Sequence, residues 1–213
     1  MKFYYNPIST YSQKALIALY EKGVAFEPHV VNLMSPEGRA SYEEVYTVGK
    51  IPVLFLDDGS LLSESSAIVE YLELTHPNAG PHLVPADRNA ALQTRRWTSF
   101  ADSMLNETMQ KIFFDTRRPA EKRDPLGVAQ ATAALEKSLA FMDAHLAKNQ
   151  WLAGAEYSMA DCAATPPLFY LKNLHPFEKF TNVTAYAARA LERPAYLKVV
   201  AEAMPILQAM MKG

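Results

Sequence analysis

Up to about residue 75 the apolar positions come in short runs, and beyond that they recur only at helical spacing. Residues 2–5, KFYY, are aromatic and lead into Asn6-Pro7, which predicts a strand closed by a turn. Ala15, Leu16, Leu19 and Tyr20 then repeat at helical spacing, so a helix is expected over Thr10–Lys22, with Gly23 suited to its C-terminal stop. Val24–Leu33 reads as a second strand. Pro28 inside it cannot donate to a ladder, which makes it an edge strand or one that starts late. Pro36–Tyr46 is polar with modest helical character. Ile51–Leu56 supplies an apolar strand, Asp57-Asp58-Gly59-Ser60 a hairpin turn and Leu61-Leu62 a return strand. Ser63-Glu64-Ser65-Ser66 ahead of Ala67–Leu72 has the form of a capped helix. This part of the chain is expected as βαβ, then α, ββ and α.

The stretch HPNAGPHLVPAD, from His76 to Asp87, carries three prolines and a glycine, which fits a linker. After it, Arg88–Arg117, Gly127–Lys148, Ser158–Leu174, Val183–Leu191 and Pro194–Met211 read as helices. The expected division is a domain over 1–76, a linker over 77–87 and an all-helical domain over 88–213. The fold class is thus α/β plus all-α. Ser158-Met159-Ala160-Asp161 sets a hydroxyl three residues before a carboxylate, a capping box with Asp in place of the usual Glu, and its weight is structural.

Composition narrows the partners. A formal charge of −2, spread through both halves, leaves no electrostatic footprint for nucleic acid or an acidic membrane, which points to a small molecule. The single cysteine, Cys162, has no partner for an internal disulfide and sits among alanines, as a buried thiol would. MKFYY lacks the succession of a signal peptide, and no apolar run reaches the roughly 20 residues of a membrane helix, so a cytoplasmic address is expected. The five histidines, at 29, 76, 82, 145 and 175, show no HxxxH spacing, and no phosphate-binding glycine loop occurs. Neither a metal nor a nucleotide is implied.

Chemistry concentrates in YYNPISTYSQK, residues 4–14, where six hydroxyl-bearing residues stand between a strand and a helix. Thr10-x-x-Gln13 fits a capping box, and Ser9 or Ser12 fits the cap equally well. Tyr4 and Tyr5 point to opposite faces of a strand, so one of them belongs to the core.

Several blocks, taken in order, resemble the cytosolic glutathione transferases. They are Tyr5-x-Pro7-x-Ser9-x-Tyr11-Ser12, Ala18-Leu-x-Glu-Lys-Gly23, Gly49-Lys-Ile-Pro-Val53, Glu64-Ser-Ser-Ala-Ile68, Tyr71-Leu72 and Ser158-Met-Ala-Asp161. The resemblance covers nearly the whole chain. It implies a thioredoxin-like first domain, a helical-bundle second domain, glutathione as co-substrate, a hydrophobic electrophile, a homodimer and a role in detoxification. It also assigns residues. Ile51 offers its backbone to the cysteinyl part of glutathione beside a cis Pro52. Ser65, Ser66 and the free N–H groups of their helix take the γ-glutamyl carboxylate, and Glu64 faces the α-ammonium. Lys50 serves the glycyl end, with His29 and Arg39 as further neighbours, and Asp102 reaches the partner's glutathione site. Met104, Met109, Phe113, Phe114 and Arg117 line the electrophile pocket, although such stripes also build helix cores. Arg117-Arg118 and Lys122-Arg123 read more simply as a solvated connection.

Activating the thiol sets an energetic demand. Lowering a thiol from about 8.5 by two units takes about 2.7 kcal/mol. A helix dipole gives about 0.3–1 kcal/mol, and a hydroxyl donating to the thiolate about 1.5–3 kcal/mol. One hydroxyl at the helix start is therefore expected to do more than cap. Serine-type relatives place it at Ser9 and tyrosine-type relatives at Tyr5, while Tyr11 and Ser12 are further candidates. A maleylacetoacetate-type isomerase and a non-catalytic glutathione-binding or ligand-binding protein are the alternatives. The loop matches that of the zeta-type isomerases only in part, since Tyr11 stands where their cysteine would be.

Overall fold

A computed structural model describes residues 1–212 and the side chains of residues 1–210. The chain divides into two compact units, one formed by Met1–Leu83 with the last helix and the other by Val84–Arg193. The first holds β1 (Lys2–Tyr5), α1 (Thr10–Glu21), β2 (Glu27–Val30), α2 (Pro36–Val45), β3 (Val53–Phe55), β4 (Leu61–Ser63) and α3 (Ser65–Thr75). Its sheet runs β2-β1-β3-β4, with β1 and β2 parallel and the other two pairings antiparallel. This is the expected thioredoxin-like order. β2 occupies an edge, as Pro28 requires, and is shorter than the apolar run around it. Phe3, Leu16, Ile17, Leu19, Val53, Leu54, Ile68 and Leu72 have no exposed surface and form the core of this unit.

The last helix, α9 (Pro194–Lys212), packs on α1 within the first unit, whereas the sequence pattern groups it with the helices before it. Its periodicity identifies a helix but carries no information about which core receives it. Contacts on residues far back in sequence decide the matter. Glu202 accepts hydrogen bonds from Tyr5 in β1 at 3.3 Å and from Tyr20 in α1 at 2.5 Å.

The second unit comprises α4 (Arg88–Phe100), α5 (Glu107–Thr116), α6 (Pro125–Leu146), α7 (Met159–Leu174) and α8 (Thr181–Leu191). The single helix expected over 88–117 is divided by a π-helical turn, Ala101–Asn106. The buried residues explain the turn. Trp97, Ala101, Leu105 and Met109 are spaced by four, a step that rotates the buried face by about 40° each time in an α-helix of 3.6 residues per turn. A wider turn keeps them on one side. α7 passes through Pro166 and Pro167 and is buried over most of its length, so tertiary packing overrides a helix breaker there.

α7 opens with the expected capping box. Asp161 is fully buried and accepts from the backbone N–H of Ser158 at 2.9 Å, the Ser158 hydroxyl at 3.0 Å, the Leu152 N–H at 3.0 Å and the Tyr186 hydroxyl at 2.9 Å. Burial pushes its carboxyl above the ordinary range, against the pull of those donors.

Candidate functional site

Strand register brings three candidate segments of the first unit to one end of the sheet. Tyr4 pairs with Val53 and Val53 with Ser63, both antiparallel. The chain leaving β1 therefore emerges beside the chain entering β3 and the chain leaving β4. Those three segments are the Asn6–Ser9 loop, Ile51-Pro52 and Glu64-Ser65-Ser66, three separate stretches drawn from residues 6 to 66 of the sequence.

The loop after β1 is held from within. The Asn6 side chain donates to the Val31 carbonyl at 2.7 Å and accepts from the Ile8 N–H at 3.0 Å. The Ser9 N–H donates to the Asn6 carbonyl at 3.0 Å, and the Gln13 amide donates to the Pro7 carbonyl at 2.7 Å. These contacts choose the cap. Ser9 takes an extended backbone conformation and its Oγ accepts from the Ser12 N–H at 3.3 Å, while Gln13 is turned back to Pro7, so the alternative pair Thr10-x-x-Gln13 does not form the box. Ser12 is buried and its hydroxyl accepts from the Asn6 N–H at 3.3 Å. Ser9 is only half-buried. A hydroxyl that accepts one long bond keeps its hydrogen for another partner.

Tyr5 is disposed differently. It is buried, its ring stacks on Phe3 at 4.9 Å, and its hydroxyl donates to Glu202. Burial, followed by the negative charge of Glu202, pushes the phenol up to about 12. Tyr20, on the same carboxylate, is also raised by burial and by Glu202. Tyr11 is half-buried and its ring lies 5.5 Å from the Lys14 ammonium.

The Ile51–Pro52 bond is cis. Pro52 is buried, and the carbonyl of the preceding Lys50 accepts from the Tyr42 hydroxyl at 2.8 Å, which ties α2 to this loop. The Lys50 side chain is exposed. At the start of α3, Glu64 has φ 68°, ψ 115°. A non-glycine residue in that region stores strain and is held there by its surroundings. No side chain caps α3, and its first intrahelical bond runs from the Ile68 N–H to the Glu64 carbonyl at 3.0 Å. The N–H groups of Ser65, Ser66 and Ala67 precede that bond, an arrangement suited to an anion. Ser65 is buried, Ser66 half-buried and Glu64 exposed.

Other candidates of the first unit have local engagements. Arg39 is exposed and donates to the Leu33 carbonyl at 3.1 Å. His29 contacts Glu27 at 2.7 Å and stacks on Tyr4 at 4.4 Å. In the second unit, Asp102 and Met104 lie in the π-helical turn, Phe113 and Phe114 in α5, and Arg117 at the end of α5 with its guanidinium 5.1 Å from the Phe113 ring. Met104 and Phe114 are exposed, but Met109 is 3% exposed and belongs to the helix core. Arg118 pairs with Asp115 at 3.2 Å, consistent with a solvated connection. Cys162 has no exposed surface.

Residues 3–81 match the family model described as the glutathione S-transferase N-terminal domain, and residues 125–189 match that of the C-terminal domain. Glutathione S-transferase F10 of Arabidopsis thaliana is 31% identical over 93% of this chain and 95% of its own length. Glutathione S-transferase GstA of Escherichia coli O157:H7 is 30% identical over 91% of this chain and 94% of its own. The chain belongs to the glutathione S-transferase family. Among solved structures, a glutathione S-transferase from Methylobacillus flagellatus with glutathione bound superposes on this transferase with a TM-score of 0.83 at 30% identity, over 93% of this chain and 98% of that one.

Several residues that shape the site of this transferase were not singled out by sequence. Asn6 and Tyr42 each donate a hydrogen bond to a carbonyl of another segment, and such a bond leaves no local pattern. Lys14 left no signal either, because a lysine is ordinarily exposed and its burial follows from the packing of α1, whose residues 12–19 are all buried.

Proposed function

We propose that this glutathione transferase activates its co-substrate with the hydroxyl of Ser9 and the opening turn of α1, and adds the resulting thiolate to an electrophilic carbon of a small hydrophobic molecule. One observation carries the choice. Of the two leading hydroxyls in the β1–α1 segment, Ser9 is half-buried at the helix start with its hydrogen left to donate, whereas Tyr5 already donates its hydrogen bond to Glu202. A donor committed to a carboxylate and raised to about 12 is poorly placed to stabilise a second anion.

Ile51 presents its backbone to the cysteinyl part of glutathione with Pro52 fixing the direction, and the uncapped start of α3 takes the γ-glutamyl carboxylate through Ser65 and Ser66. Glu64 accepts from the α-ammonium, and Lys50 and Arg39 serve the glycyl end. The electrophile lies against Met104, Phe113, Phe114 and Arg117, and Asp102 completes the glutathione site of the other protomer in a homodimer. The setting is cytoplasmic and the role detoxification, with no metal or nucleotide required. Binding supplies proximity, and the Ser9 hydroxyl with the helix start stabilises the charge on sulfur. No covalent enzyme intermediate is needed.

Ser9→Ala tests the assignment. Turnover of a model electrophile should fall about a hundredfold with glutathione affinity retained, the size of effect seen when one preorganised donor is removed. Unchanged turnover would move the role to another hydroxyl.

A further inference from the structure

Lys14 lies in the second turn of α1 and is 1% exposed. A buried ammonium is costly unless its donors are used. Its Nζ donates to the Ser66 hydroxyl at 3.0 Å and lies 5.5 Å from the centre of the Tyr11 ring. Ser66 is the second residue of α3, beside the strained Glu64. One lysine thus joins the opening of the thiol-activating helix to the opening of the helix assigned to the γ-glutamyl carboxylate.

The contact fixes the direction of a hydroxyl. Lysine has donors only, and serine has one donor hydrogen and two lone pairs. At 3.0 Å from Nζ the Ser66 oxygen must accept, so its hydrogen is directed elsewhere. We infer that Lys14 is a positioning residue that makes Ser66 a donor and so sets the start of α3 to select a carboxylate. The inference rests on the glutathione reading and sharpens it. Ser66, a donor, and Glu64, an acceptor only, together read the zwitterionic head of a γ-linked amino acid. Without Lys14 the hydroxyl rotates freely and also accepts, and the preference for a carboxylate declines.

The test is calorimetric binding of two peptides, glutathione and its analogue in which 4-aminobutyryl replaces γ-glutamyl, which keeps the amine and lacks the carboxylate. Lys14→Met, which preserves length and apolar bulk, should weaken glutathione about tenfold and change the analogue by less than about twofold, because only the charged acceptor uses the directed hydrogen. Lys14→Arg should restore most of the difference. Ser66→Ala, at a half-buried position, should show the same selective loss, and the double variant should lose little more than either single one. Equal weakening of both peptides by Lys14→Met, or additive losses in the double variant, would overturn the inference and leave a packing role. If the unsubstituted protein binds glutathione and the selectivity is unaltered, only this inference fails. If it binds neither peptide, the glutathione reading itself fails and takes this one with it.

Discussion

Among the helices of this transferase that open on a serine, α1 and α7 give that serine opposite fates. Ser158 at the start of α7 is 2% exposed, and both its hydroxyl and its N–H are bonded to Asp161, which also holds Leu152 and Tyr186. Ser9 at the start of α1 makes one long cap bond, to the Ser12 N–H, and stays half-buried. The same residue type in the same capping position is consumed by structure in one case and left with a hydrogen to give in the other. What separates them is the supporting network. Around Ser158 the network ends on the serine, whereas around Ser9 the Asn6, Ser12 and Gln13 side chains secure the loop and relieve the serine of that task. A cap becomes available for chemistry where neighbouring side chains have taken over the fastening.

Substitutions at the two caps should therefore separate stability from turnover. Asp161→Ala leaves buried donors without an acceptor and should cost about 4 kcal/mol in denaturant unfolding, with turnover per folded molecule unaltered. Ser9→Ala, at about a hundredfold in turnover, corresponds to about 2.7 kcal/mol at the transition state and should leave the unfolding midpoint nearly unmoved. Ser158→Ala should lower stability by about 1 kcal/mol with no loss of turnover. Should Ser158→Ala slow the reaction as strongly as Ser9→Ala, the contrast would collapse.

Tyr5→Phe should have the smallest effect, less than about twofold on turnover at neutral pH, because an uninvolved donor contributes no transition-state stabilisation. Its signature is alkaline. The folded chain keeps the Tyr5 proton up to about 12, against an ordinary value of 10.0, so the unfolded chain releases it first. Stability from this group is constant below the unfolded value and falls as pH rises through the interval between the two. Chemical denaturation across that interval should show a shallower decline for Tyr5→Phe, with the Tyr20 contribution remaining.

Much of this was legible in the chain. Pro28 marked an edge strand, the turn after Leu56 marked a hairpin, and Ser158-x-x-Asp161 marked a helix start, because each is a local rule with a local cause. The choice among Ser9, Thr10 and Ser12 was not legible. It depends on where the Asn6 and Gln13 side chains turn, and both spacings satisfy the same pattern. Nor could the fate of Tyr5 be read, since its partner Glu202 is 197 residues away. The π-helical turn was not legible either, since 88–117 reads as one helix and the spacing of four from Trp97 to Met109 acquires meaning only once those residues are known to share a buried face.

The central claim concerns the acidity of a bound sulfur. Ultraviolet titration of glutathione bound to the unsubstituted protein and to Ser9→Ala tests it most directly. The account predicts a thiol about two units below its ordinary 8.5 in the first, and in the variant a residual lowering of no more than about 0.7 units, the share a helix dipole supplies. Equal acidity in both proteins, at any value, would contradict it.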